Sequence, residues 1–312
     1  MTNEMTHELS LSAINSDQDI RLFLRSQFHS IHHDKQRLMK DIPLPWPSFW
    51  ELGDIVELVN GSFIFASTLV KYVREGSPPP LRLKPIVEAH TGVDGMYREI
   101  LNQFLDDEHF WTVFSTVILL RRPLSVTGLG SLLNFGNRLV LFELLKIQSI
   151  LHIPDDDHKA VDIFHTSLRD FSTSSQRAGT LCVKSSENHL PIVRCCWQIM
   201  VTQAEQFLFK GEAARYASCY WIKHFHLAFK DADSHYGWYN SLVEEMELLI
   251  MQCFQTWFNT MLDSEGYSSI GDKMQLLLAV FQISKVGLLL WSHICTNIRI
   301  PHKGHTRILT ER

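Results

Sequence analysis

Apolar side chains recur at three- and four-residue intervals along most of this chain, so it reads as mainly α. Ser16-Asp17-Gln18-Asp19 opens a helix running to Ile31, with Ile20, Phe23, Leu24 and Phe28 as its buried stripe. Residues 35–47 form a basic, proline-bearing linker. Ser48 then caps a helix over 49–59. Asn60-Gly61 bends the chain, since both residues tolerate positive φ. The helix over 62–73 is apolar around most of its circumference, which predicts burial on several sides. An extended Gly76–Pro80 linker leads to helices over 82–91 and 94–105. Asp106-Asp107 opens another helix over 109–120.

The next stretch changes period. Ser125 caps a helix to about Leu133, and Asn134-Phe135-Gly136-Asn137 breaks it. A helix over 138–148 follows, with Leu139, Leu141, Phe142 and Leu145 expected on its buried face. Residues 150–153 and 160–164 are short apolar runs separated by Pro154-Asp155-Asp156-Asp157-His158, the pattern of a hairpin. A last short helix begins near Thr166. Helix, helix, hairpin, helix is the order of a winged helix, a scaffold that by itself names no function. Beyond it, 172–188 is rich in Ser and Thr without a period and reads as a loop. Long helices are predicted over 190–208, 213–229, 239–262 and 270–294, and a disordered basic tail over 299–312. The predicted organisation is a helical segment over 1–91, a winged helix over 92–175, a helical domain over 176–298 and the tail.

Charge narrows the function classes. The net charge of −5 argues against a dedicated nucleic-acid binder, whose footprint is a basic patch. On the second helix of the winged-helix pattern, Glu143 offsets Arg138 and Lys146, which weakens the alternative of a DNA-binding winged helix. The 6 cysteines show no C-x-x-C spacing and suit reduced thiols of a cytoplasmic protein. Residues 1–20 are polar and acidic, without the pattern of a secretory signal. The longest apolar run, near 275–291, is interrupted by Gln282 and Lys285 and predicts a buried helix, not a membrane span.

Candidate chemistry is sparse. No G-x-x-x-x-G-K-[ST] or G-x-G-x-x-G loop is present, and Lys184-Ser185 has no glycine loop leading into it, so no backbone cradle for phosphates is expected. His29, His32 and His33 have the helical spacing of paired metal ligands, but the absence of partners beyond Asp34 favours a solvated helix end. Asp155 to Asp157 lack the glycine and alternate spacing of a calcium loop, which leaves an exposed turn. Cys195-Cys196 reads as buried thiols, and Tyr216, Tyr220, Trp221, His224 and Phe225 as core packing ahead of a ligand groove. His165 follows the second hairpin strand. It can cap the next helix or offer a ring nitrogen to an anion.

Several stretches carry a family resemblance. ILLRRPLS, LLKIQSILHIPDDD and DIFHTSLRDF resemble the winged-helix part of fungal NACHT-domain proteins, signal-transducing NTPases of the STAND class related to NOD-like receptors. DIRLFLRSQF, GSFIFASTLVKYV and GMYREIL resemble the helices that follow the NTPase core, and RYASCYWIKHF the helical continuation. The likeness spans about residues 9–225. It implies a non-catalytic regulatory and scaffolding region that gates nucleotide-dependent switching through the winged helix. Its partners would be an NTPase domain, in cis or in trans, and other proteins, with no nucleic acid and no membrane. The catalytic core is missing from the matched region, so no NTPase activity is expected, and ADP or ATP would be held only with a joined NTPase domain. In this family a winged-helix histidine, often within Met-His-Asp, contacts the β-phosphate of ADP and holds the off state. Phe164-His165-Thr166 stands at that position, with Thr166 in place of the acid.

Overall fold

A computed structural model of the chain describes residues 16–75, 78–89, 92–204 and 211–230, together with Glu245, Trp257, Met261, Asp272, Lys273, Gln275 and Leu276. The tail over 299–312 lies outside these residues, as do the helices over 239–262 and 270–294 apart from those isolated positions. The fold is mainly α, with one two-stranded antiparallel sheet among the described residues. The chain forms two compact units that do not follow linear boundaries.

The first unit takes Met1–Asp106, Ile147–His152 and Ile163–Cys182. It contains α1 (Ser16–Asp34), α2 (Phe49–Val59), α3 (Phe63–Arg74), α4 (Pro79–Ala89) and α5 (Gly92–Asn102). Ile20, Leu24, Phe28 and Ile31 of α1 are buried. A capping box starts α2: Ser48 Oγ accepts from the Glu51 amide, and the Glu51 carboxylate accepts from the Ser48 amide. Asn60 (φ 46°) and Gly61 (φ 75°) then make the turn, as the sequence predicts. Ser62 caps α3, whose Phe65, Ala66, Leu69, Val70 and Val73 are buried. The expected burial of this helix on several sides stops at its first turn, where Phe63 and Ile64 are exposed. The proline run does not stay extended throughout: α4 begins at Pro79, because proline at a helix start gives up only an amide that has no helical acceptor.

The expected loop over 172–188 also contains structure. Ser174 caps α10 (Ser175–Ala178), and a 3-10 turn follows over Gly179–Leu181. A long-range pair fixes this segment: Arg177 donates from Nε and a terminal nitrogen to the two oxygens of Asp94 on α5, at 2.9 and 2.6 Å. Upstream of it, α9 (Thr166–Ser172) completes the unit. The strands are β1 (Leu151–His152) and β2 (Asp162–Ile163), inside the predicted apolar runs, and Phe164 N–H donates to the Ile150 carbonyl at 3.0 Å.

The second unit takes Asp107–Lys146, Ile153–Asp162 and the chain from Val183 onward. Its helices are α6 (Glu108–Leu119), α7 (Val126–Leu133), α8 (Asn137–Leu145), α11 (Ser185–Ala204) and α12 (Glu212–Lys230). Asp107 caps α6 and Ser125 caps α7, which ends at Asn134 in the left-handed region (φ 55°). The buried face of α8 differs from the expected one. Val140 and Leu144, with Ile147 beyond the helix end, are buried, whereas Phe142 and Leu145 are exposed. Both rows have helical spacing, so the apolar pattern alone does not choose between them. Glu212, the first residue of α12, reaches the start of α7, where Ser125 donates to its carboxylate from N–H and Oγ–H. A Cβ at Gly128 would collide with that carboxylate, so a larger residue there would displace the Glu212 side chain from Ser125. Among the described residues no helix is long and apolar enough to cross a membrane.

Candidate functional site

His165 lies in the first unit between β2 and α9, in extended backbone (φ −147°, ψ 143°) as the N-cap of α9. Its Nδ1 accepts from the Ser167 amide at 3.2 Å and lies 2.7 Å from Ser167 Oγ. Ser167 Oγ is in turn 2.9 Å from the Tyr97 hydroxyl on α5. Burial pushes the Tyr97 phenol above its usual range, against the smaller effect of the Ser167 hydrogen bond, so the hydroxyl keeps its proton. With the Ser167 amide donating to Nδ1, the order of the hydroxyls that fits is Tyr97 O–H to Ser167 Oγ and Ser167 O–H to His165 Nδ1. Because Nδ1 accepts, a neutral His165 carries its proton on Nε2, which makes that atom a donor.

Contacts on either side fix the neighbours of His165. Phe164 lies under the Lys71 ammonium, 3.7 Å from its ring centroid, and Tyr97 packs on Phe171 of α9 at 5.4 Å. The capping and anion-contact readings of His165 therefore use different nitrogens: Nδ1 makes the cap, and Nε2 carries the proton. The local amide of Ser167 is spent on the cap, and α9 is only 7 residues long. A phosphate here would thus meet the imidazole, not a row of free helix amides.

A second histidine cluster, not anticipated from the sequence, lies inside the second unit. His189 of α11 and His224 of α12 bring their Nδ1 atoms within 2.7 Å. His224 Nε2 is 2.6 Å from the Tyr216 hydroxyl, whose oxygen also accepts from the Arg121 amide at 3.1 Å. Burial is the main cause that lowers both imidazoles, His189 to about 4 and His224 to about 3; the nearby Arg121 charge acts in the same direction on both. Burial likewise raises the Tyr216 phenol. Both rings are neutral, and one proton lies between the two Nδ1 atoms. With Trp221 fully buried and packed against Trp197 and Phe225, this aromatic stretch of α12 is core, as its helical spacing predicts.

The remaining candidates separate. His32 Nε2 donates to the Ile42 carbonyl at 3.0 Å, which ties the end of α1 to the turn after it, while His29 and His33 are exposed. No group of three metal-ligating side chains occurs among the described residues. Asp155 and Asp156 are exposed, and Asp156 Oδ1 accepts from the His158 amide as in an ordinary polar turn. Cys196 is buried and Cys195 half-buried; burial raises both thiols, so neither is a ready thiolate. Searches against family models, curated proteins and solved structures return no match to this chain.

Proposed function

We propose that this chain is a non-catalytic regulatory and scaffolding region of a NACHT-type signal-transducing NTPase, in which a winged helix over 92–175 gates nucleotide-dependent switching. The reading rests on the resemblance of the ordered motifs and is supported most by one observation: Ser167, itself bonded to Tyr97, takes up His165 Nδ1, which leaves Nε2 to carry the proton of the neutral ring. A donor poised after the second strand of the hairpin is what a β-phosphate contact requires. The NTPase domain, in cis or in trans, would hold most of the nucleotide, and this chain would add one hydrogen bond to it. A hydrogen bond to a charged group contributes about 1.5–3 kcal/mol, enough to bias a two-state switch roughly ten- to a hundredfold. Other proteins would be the remaining partners, in the cytoplasm.

The DNA-binding alternative is disfavoured at α8. Lys146 Nζ lies 2.5 Å from carboxylate oxygens of both Asp107 and Glu143, so this cation is already neutralised locally. The test joins the chain in frame to a NACHT-type NTPase domain and measures ADP affinity by calorimetry. His165→Ala should weaken ADP binding by about tenfold or more, and the chain without the NTPase domain should bind none. Equal ADP affinity before and after the substitution would leave His165 with its capping role alone.

A further inference from the structure

The first unit carries a groove that neither histidine cluster explains. It lies between one face of α1, the turn over 44–47 and the start of α2, with a volume of about 770 Å³. Trp46 and Leu52 are buried in its floor, and Trp46 is fixed edge-on against Phe28 at 5.4 Å. Its rim is apolar and open: Leu22 is 59% exposed, Leu44 55% and Phe49 68%. Large exposed apolar side chains gathered around a concavity mark a binding surface, whereas single ones are ordinary.

Charge says what would fill it. The charged side chains lining the groove are Arg21 and Arg25, one helical turn apart on α1, and no carboxylate lines it among the described residues. Neither guanidinium is in an ion pair among the described residues; Arg21 rests 5.9 Å from the Phe49 centroid. The chain as a whole is acidic, at −5, so this cationic, apolar concavity stands against the general charge of the molecule. We infer that the groove between α1 and the 44–47 turn is a docking site for an acidic amphipathic helix of a partner protein. The partner's leucine or phenylalanine side chains enter between Leu22, Leu44 and Phe49, and its carboxylates pair with Arg21 and Arg25.

Two other anionic partners fit less well. A single-stranded nucleic acid needs open aromatic faces for its bases. Phe49 and Trp50 are exposed, but they meet edge to face at 5.7 Å and so present no parallel faces to successive bases, and among the described residues Arg21 and Arg25 are the only two cations lining the groove for phosphates. An anionic membrane takes protruding apolar side chains, whereas Trp46 and Leu52 lie at the bottom of a concavity. The inference does not depend on the NACHT-type reading of His165.

The experiment uses the full chain and fluorescence anisotropy of a labelled amphipathic peptide with Leu and Phe on one helical face and Glu on its flanks. Controls are the same peptide with Lys for Glu, an oligothymidylate, and phosphatidylcholine–phosphatidylserine vesicles. The Glu peptide should bind, weaken with added salt, and bind at least about tenfold more tightly than the Lys peptide. The double substitution Arg21→Glu, Arg25→Glu should reverse that preference. Leu22→Asp and, separately, Leu44→Glu should each abolish binding while leaving the circular dichroism spectrum unchanged, since both positions face solvent. Equal binding of the two peptides, an unchanged preference in the arginine variant, or tighter groove-dependent binding of the oligothymidylate or the vesicles would overturn the inference.

Discussion

The two histidine clusters use the same parts and reach opposite ends. In the first unit a tyrosine hydroxyl feeds a serine and then His165 Nδ1. In the second, the Tyr216 hydroxyl meets His224, and His224 meets His189. The difference is where the chain of hydrogen bonds stops. At His165 it stops on a half-buried ring whose second nitrogen holds the proton. Inside the second unit it runs into another buried imidazole, and both nitrogens of His224 are consumed. A histidine fixed through one nitrogen can serve a ligand through the other; a histidine fixed through both is a packing element with polar edges.

The largest effect expected from this contrast belongs to the buried pair. His224→Leu strips partners from Tyr216 and His189 together. Each orphaned buried group costs about 1–3 kcal/mol, so a loss of roughly 2–5 kcal/mol is expected in urea denaturation. Replacing His189 by Leu as well should recover part of that loss, because it removes one orphan. A single-variant change within about 0.5 kcal/mol would mean that the buried network is not structural.

Acid should find the same weak point. His189 and His224 have folded-state values of about 4 and about 3, below the ordinary 6.5, so the unfolded chain binds more protons over that interval. Their contribution is fully present above about pH 6.5 and is lost progressively as pH falls toward 4 and 3. Geometry gives the same sign for the accepting ring: a proton added to its Nδ1 would set two N–H groups facing each other across 2.7 Å. Denaturation midpoints measured between pH 7 and pH 4 should fall for the unaltered chain and fall less for the double Leu variant. Parallel curves would contradict the assignment.

The smallest stability effect belongs to His165. Losing an N-cap costs about 1 kcal/mol, so His165→Ala should lower stability by that amount, read by thermal unfolding. Asparagine is a good N-cap, and its side-chain oxygen can take the place of Nδ1. His165→Asn should therefore stay within about 0.5 kcal/mol of the unaltered chain. An Asn variant as destabilised as the Ala variant would show that the ring itself is needed for folding.

What could be read in advance follows from range. Ser48, Asp107 and Ser125 act on amides three residues away, and each starts the helix its position predicts. Asn60 and Asn134 turn the chain by their own φ. The hairpin lies within its two apolar runs, and His165 stands between strand and helix as its spacing indicates. What escaped depends on distant partners. Arg177 needs Asp94, 83 positions away, to order the segment around α10, and His189 needs His224, 35 positions away. The face of α8 escaped for another reason: Val140 and Leu144 compete with Phe142 and Leu145 at equally good helical spacing, and tertiary packing decides between them.

The central claim is that His165 has two separable roles, a cap through Nδ1 and a phosphate donor through Nε2. The asparagine variant divides them, because it keeps an acceptor at the cap and has no group in the place of Nε2. The decisive measurement is the ADP affinity of His165→Asn in the chain joined to a NACHT-type NTPase domain. With folding stability unchanged, ADP should bind about tenfold or more weakly than to the unaltered joined protein. Undiminished ADP affinity in that variant would contradict the claim.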